Sequence, residues 1–150
     1  MQRGMTLLEV VICIGILAIL CSTALPTLGQ SLASLELEGA SLQLVGDIRW
    51  LQQLSSNASS SASYLLLFNP SEPSGYYVTE NTKIVKRYTC PASVRFPSTY
   101  SPIAFSASGA PLMGAQTIAL HSAKLQKWKY VMLAPVSGRV RISNSYSVES

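Results

Sequence analysis

The stretch Gly4-Met5-Thr6-Leu7-Leu8-Glu9-Val10 sets one carboxylate at the threshold of a long uncharged run. The 26 residues between Glu9 and Glu36 carry no formal charge, and residues 10–28 are mostly Val, Ile, Leu, Ala and Cys. As a helix, residues 10–28 extend about 28 Å, close to the ~30 Å hydrocarbon core of a bilayer. A buried core helix is the other use of such a run, but its length and its place at the N-terminus point to the membrane. An ordinary secretory signal would end soon after its apolar stretch. Here the basic segment is only Met1-Gln2-Arg3-Gly4, and the chain continues past Pro26 into a different kind of helix. A carboxylate costs on the order of 2.5–3.5 kcal/mol at the bilayer centre and less at its edge, which makes Glu9 a functional candidate in need of a partner.

Beyond Pro26 the pattern turns amphipathic. Leu28, Leu32, Leu35, Leu42, Val45, Ile48 and Leu51 recur at steps of three, four or seven, as one helical face, with Glu36, Glu38, Asp47 and Arg49 mostly elsewhere. One helix is expected from Thr6 to Leu54, bent at Pro26, which removes a backbone hydrogen bond. Gly29, Gly39 and Gly46 weaken it locally, by about 1 kcal/mol each relative to Ala. The polar run from Ser55 to Ser63 reads as a connector. Eight short strands are expected after it: 64–68, 76–79, 83–89, 94–96, 103–106, 117–121, 129–134 and 139–143, separated by turn residues such as Asn69-Pro70 and Ser108-Gly109. One long helix followed by short strands argues for an α+β fold, a long bent N-terminal helix on a mainly antiparallel sheet. The domain plan is therefore residues 1–4 as leader, 5–28 as membrane and assembly half of the helix, 29–54 as its amphipathic half, 55–63 as connector and 64–150 as a β-rich head.

Charge is unevenly spread. Residues 81–150 hold nine Lys and Arg against Glu149, whereas residues 1–80 hold Arg3 and Arg49 against six carboxylates. A basic distal half suits a polyanionic partner, or a solvated surface. Cys13 and Cys21 are about 12 Å apart along one helix, too far for a disulfide, and Cys90 has no partner in the head. The single histidine, His121, lies among Ala and Leu, which favours a packed or surface role over catalysis. No metal-ligand spacing, paired acid/base carboxylates, phosphate loop or nucleophile motif is present, so no enzymatic activity, cofactor or metal is expected.

Gly4 followed by Met5-Thr6-Leu7-Leu8-Glu9 resembles the class III signal of type IV pilins and type II secretion pseudopilins. The resemblance implies a type IV pilin-like fold and processing by prepilin peptidase, which cuts between Gly4 and Met5 and N-methylates Met5. Met5 departs from the family's usual Phe. Glu9 becomes fifth in the mature chain, where the family places a glutamate that neutralises a neighbour's N-terminal amine, and Pro26 falls at the family's helix bend. Arg3 keeps the leader cytoplasmic, so the chain crosses the inner membrane once before its extraction into an extracytoplasmic fibre. The implied partners are prepilin peptidase, other pilin or pseudopilin subunits, the inner-membrane assembly platform and, before assembly, membrane lipid. Within the superfamily, Leu44-Val45-Gly46-Asp47-Ile48-Arg49-Trp50 resembles the Leu-x-x-Asp-Leu-Arg segment of the GspH/FimT group of minor pilins. Val136-Ser137-Gly138-Arg139-Val140-Arg141-Ile142 resembles that group's closing Gly-Arg strand.

Two functional classes follow. One is a structural or priming subunit of a type IV pilus or secretion pseudopilus. The other is a minor pilin that binds DNA during its uptake, as the resemblance to FimT-type proteins implies. Arg139 and Arg141, two apart on an expected strand, share a face. Lys124, Lys127 and Lys129 precede a neighbouring strand, with Trp128 and Tyr130 interleaved. These five cations are the candidate DNA contacts.

Overall fold

One helix, α1, runs from Leu7 to Ser56. The structure, a computed structural model, describes residues 7–58 and 63–146, the side chains of residues 23–27 excepted. The chain divides into two units, Met1–Leu32 and Ala33–Ser150, and α1 contributes to both. In the first unit every side chain from residue 7 to 22 is exposed, Leu7, Ile14, Leu17 and Ile19 among them. A helix apolar on all sides has no inward face of its own and needs an external apolar partner. The expected span 5–28 includes residues 5 and 6 and the side chains of 23–27, all outside the described residues. Among the described residues no helix is long and apolar enough to cross a membrane. The kink expected at Pro26 falls within the same excepted stretch.

The buried face of α1 in the second unit coincides with the expected one only at its C-terminal end, at Val45, Ile48 and Leu51. Ala33, Leu37, Ala40, Leu44, Ile48 and Leu51 form the inward stripe, whereas Leu28, Leu32, Leu35 and Leu42 are exposed. The expected set drifts around the helix, because each three-residue step from Leu42 to Leu51 falls about 60° short of a full turn. Alanines in the true stripe let the sheets approach closely. Full burial of each Leu or Ile stabilises the fold by about 1.5–3 kcal/mol. The helix also continues past the expected end at Leu54. Ser55 and Ser56 stay helical, their hydroxyls donating to the carbonyls of Leu51 and Gln52 at 2.9 and 3.0 Å.

Two antiparallel sheets face this stripe. Sheet A is a meander of β1 (Tyr64–Asn69), β2 (Gly75–Glu80) and β3 (Lys83–Thr89). Sheet B has the order β4 (Val94–Arg95), β5 (Gln116–Ser122), β6 (Lys127–Leu133) and β7 (Val140–Ser143). Leu66, Val78, Ile118, Leu120 and Val131 join Leu44, Ile48 and Leu51 in one core. The strand expected at 103–106 does not form. Ile103 exchanges both backbone hydrogen bonds with Leu66 and Phe105 bridges to Pro111, but neither contact extends. Pro102 precedes the first and Pro111 lies opposite the second, and neither has an amide hydrogen to continue a ladder. Beyond the two-residue β4, the edge of β5 is capped by the Tyr100 hydroxyl. It accepts from the Ala119 amide at 3.0 Å and donates to the Ala119 carbonyl at 3.2 Å.

Asp47 does not occupy an outer side of the helix but is 3% exposed. Its carboxylate accepts hydrogen bonds from Lys86 Nζ at 2.6 Å, the Tyr76 hydroxyl at 2.8 Å and Gln43 Nε2 at 3.2 Å. Lys86 also lies over the Trp50 ring, 5.5 Å from its centroid. Tyr76 stacks on Tyr88 with centroids 5.0 Å apart. Burial first, and the Asp47 carboxylate second, push the Tyr76 phenol far above its ordinary 10.0. Burial pushes the Cys90 thiol up from 9.0 to about 11.

Both groups are held neutral in the fold, so each contributes stability that is whole below its unfolded value and is lost as pH rises through the folded one. The full chain in detergent is therefore expected to lose stability above about pH 9 for Cys90 and above about pH 10 for Tyr76. In Tyr76→Phe the loss above pH 10 shrinks, and stability at neutral pH falls by about 1.5–3 kcal/mol for a bond to a charged acceptor. Thermal melts from pH 7 to 11 check both outcomes.

Candidate functional site

The sequence pointed to two places, the N-terminal signal and the distal basic strands. Gly4 and Met5 lie outside the described residues. Glu9 stands in the first turn of α1, exposed, where a carboxylate opposes the positive end of the helix dipole.

Sheet B positions the basic residues. Successive residues of a strand alternate faces, and residues directly opposite in an antiparallel pair share one. One face carries Ile118, Leu120, Val131, Leu133 and Val140 into the core. The other, outer face holds three rows read from the register: Arg95, His121 and Trp128; Ala119, Tyr130 and Ser143; Thr117, Met132 and Arg141. His121 is 7% exposed and packs under Trp128 with ring centroids 4.3 Å apart. Tyr130 meets Tyr146 edge-on at 5.6 Å. A groove of about 490 Å³ opens at one end of this face, lined by Gln116, Thr117, Met132, Arg139, Arg141 and Tyr146 among others.

The five expected cations are thus divided. Arg139 and Arg141 do share a face and line the groove. Lys129 alternates with Trp128 and Tyr130, so it lies on the core side of β6, where its Nζ is 3.6 Å from Glu38 of α1. Lys124 is exposed in the β5–β6 turn and Lys127 is exposed at the start of β6. Three residues join that strand patterns alone did not single out: Arg95, placed by the register, and Gln116 and Tyr146, which line the groove. Only cross-strand pairing could have found Arg95, since its strand is two residues long.

Gly138 explains how the arginines come to stand there. Its φ of +63° lies in the left-handed region, and a Cβ would sit 2.6 Å from both Gln52 Nε2 and the Gly109 carbonyl oxygen. Gln52 in turn donates to that carbonyl at 2.7 Å. The end of α1, the turn at 106–110 and the approach to β7 therefore meet at one point. From it the chain enters β7 with Ala134 N–H donating to Arg139 O at 3.0 Å.

A family model for the prokaryotic N-terminal methylation motif matches residues 1–25. Among curated proteins nothing matches. Among solved structures the chain is similar to the type IV minor pilin FimU of Pseudomonas aeruginosa in two crystal forms. One match has a TM-score of 0.54 at 12% identity, covering 71% of this chain and 92% of that one. The other has a TM-score of 0.56 at 12% identity, covering 72% and 88%. The N-terminal stretch thus carries a methylation motif, and the fold is that of the minor pilin FimU.

Gly138→Ala is expected to destabilise the head by about 1–3 kcal/mol, from backbone strain and from displacing Gln52. Thermal melting of the variant beside wild type measures it.

Proposed function

We propose that this chain is a minor pilin or pseudopilin, a structural or priming subunit of a type IV pilus or type II secretion pseudopilus. The observation that carries the reading is a methylation motif at residues 1–25 in a chain whose fold is that of a minor pilin. Prepilin peptidase cuts between Gly4 and Met5, and Met5 becomes the N-methylated first residue. Residues 5–28 hold the subunit in the inner membrane, in a single pass with the N-terminus cytoplasmic. The exposed apolar sides of residues 7–22 are covered there by lipid and later, in the fibre, by neighbouring helices. Glu9 neutralises the N-terminal amine of an adjacent subunit, since two charges in an apolar setting cost less as a pair than apart. The assembly platform then draws the subunit outward, and its role is mechanical rather than catalytic.

A second reading, DNA binding during uptake, is favoured by one observation: Arg139 and Arg141 line a single groove beside exposed aromatic rings. Guanidinium groups bind phosphate oxygens in a fork geometry, and such contacts are weakened by salt.

N-terminal mass analysis of the membrane-extracted protein is expected to show a chain that begins at methylated Met5. An intact Met1 in cells with active prepilin peptidase would overturn the first reading. For the second, full-length protein in detergent is expected to shift labelled DNA at low salt, and the double variant Arg139→Gln, Arg141→Gln to lose the shift. Absence of any DNA binding at low salt removes the second reading and leaves the first.

A further inference from the structure

We infer that the outer face of sheet B is a stacking platform for single-stranded nucleic acid, with Trp128, Tyr130 and Tyr146 taking bases and Arg95, Arg139 and Arg141 taking phosphates. This rests on the second reading and narrows it to one form of the ligand. The aromatic rings are available and held in place. Trp128 is 42% exposed, and the buried His121 ring packed under it at 4.3 Å limits its rotation. Tyr146 is 61% exposed and braced edge-on by Tyr130. Trp128 and Tyr130 are two residues apart on one strand, so their side chains rise from the same face about 7 Å apart.

Cations bracket this row of rings. Arg95 enters from β4 in the same row as Trp128, and Arg141 stands two rows away beside Met132. A strand laid over the rings has a guanidinium at each end of its path. Gln116 and Thr117 line the groove at the Arg141 end and offer hydrogen-bonding groups to a base edge.

The same geometry argues against a duplex. A duplex hides its ring faces in its own stack, so exposed aromatics add nothing to its binding. It needs a continuous line of phosphate contacts, and Lys129, which would extend that line, is on the opposite face beside Glu38. Single strands present ring faces, and stacking on aromatic side chains tolerates any sequence. An acidic peptide would meet the arginines but leave the aromatic row unused.

The test is fluorescence anisotropy of full-length protein in detergent, with labelled oligothymidylate and with a hairpin duplex of equal nucleotide count. The single strand is expected to bind at least about tenfold tighter than the duplex and to quench tryptophan emission. Trp128→Ala is expected to weaken single-strand binding about tenfold and to leave duplex binding unchanged. Tyr146→Ala, at a more exposed position, is expected to do the same without affecting the melting temperature. Equal or tighter duplex binding, or equal losses for both forms in the two variants, overturns the inference while DNA binding stands. Displacement of the oligonucleotide by polyglutamate at equal charge concentration overturns it in favour of an acidic-peptide site. If neither nucleic acid binds, the second reading falls with it.

Discussion

A carboxylate taken out of water must find compensation on all sides, and Asp47 finds it in three donors from three elements. Tyr76 comes from β2, Lys86 from β3 and Gln43 from the helix itself. Losing one such bond to a charged acceptor costs about 1.5–3 kcal/mol, whereas rotating α1 would break every bond at once. The hydrophobic stripe alone would tolerate some rotation, since Leu44, Ile48 and Leu51 are similar in size and chemistry. Asp47 sets the angle at which the helix lies on sheet A. Glu38 beside Lys129 of β6 and Glu36 with Ser93, just before β4, add weaker contacts between α1 and the side of sheet B.

The cations of the second unit fall on two sides of its sheets. The acidic residues of α1 engage Lys86 in sheet A and Lys129 in sheet B, each on the side that faces the helix. Arg95, Arg139 and Arg141 are exposed on the far side of sheet B. The surplus of cations in residues 81–150 is therefore not a uniform coat. Part of it secures the helix, and part is displayed beside exposed aromatic rings.

The two units depend on their surroundings in different ways. The second closes its own core, with the β5 edge capped by Tyr100 and the end of α1 locked at Gln52, Gly109 and Gly138. Among the described residues of the first, apolar side chains are exposed on every side and none is buried.

The sequence by itself determined the long helix, because periodicity and uncharged length depend only on neighbours along the chain. It also placed most strands to within a residue or two, since turn residues such as Asn69-Pro70 and Ser108-Gly109 act locally. The methylation motif was legible for the same reason: it is one short contiguous stretch. Only the tertiary structure decided which helical face is buried, because leucines lie on both sides of α1 and only the sheets choose between them. It turned Asp47 from a surface residue into a buried tie, as its partners lie 29 and 39 positions away in the chain. It separated Lys129 from Arg139 and Arg141, and joined Arg95 and Tyr146 to the arginine pair. The placing of Lys129 and Arg95 rests on strand register, and register is a property of paired strands that no single strand carries.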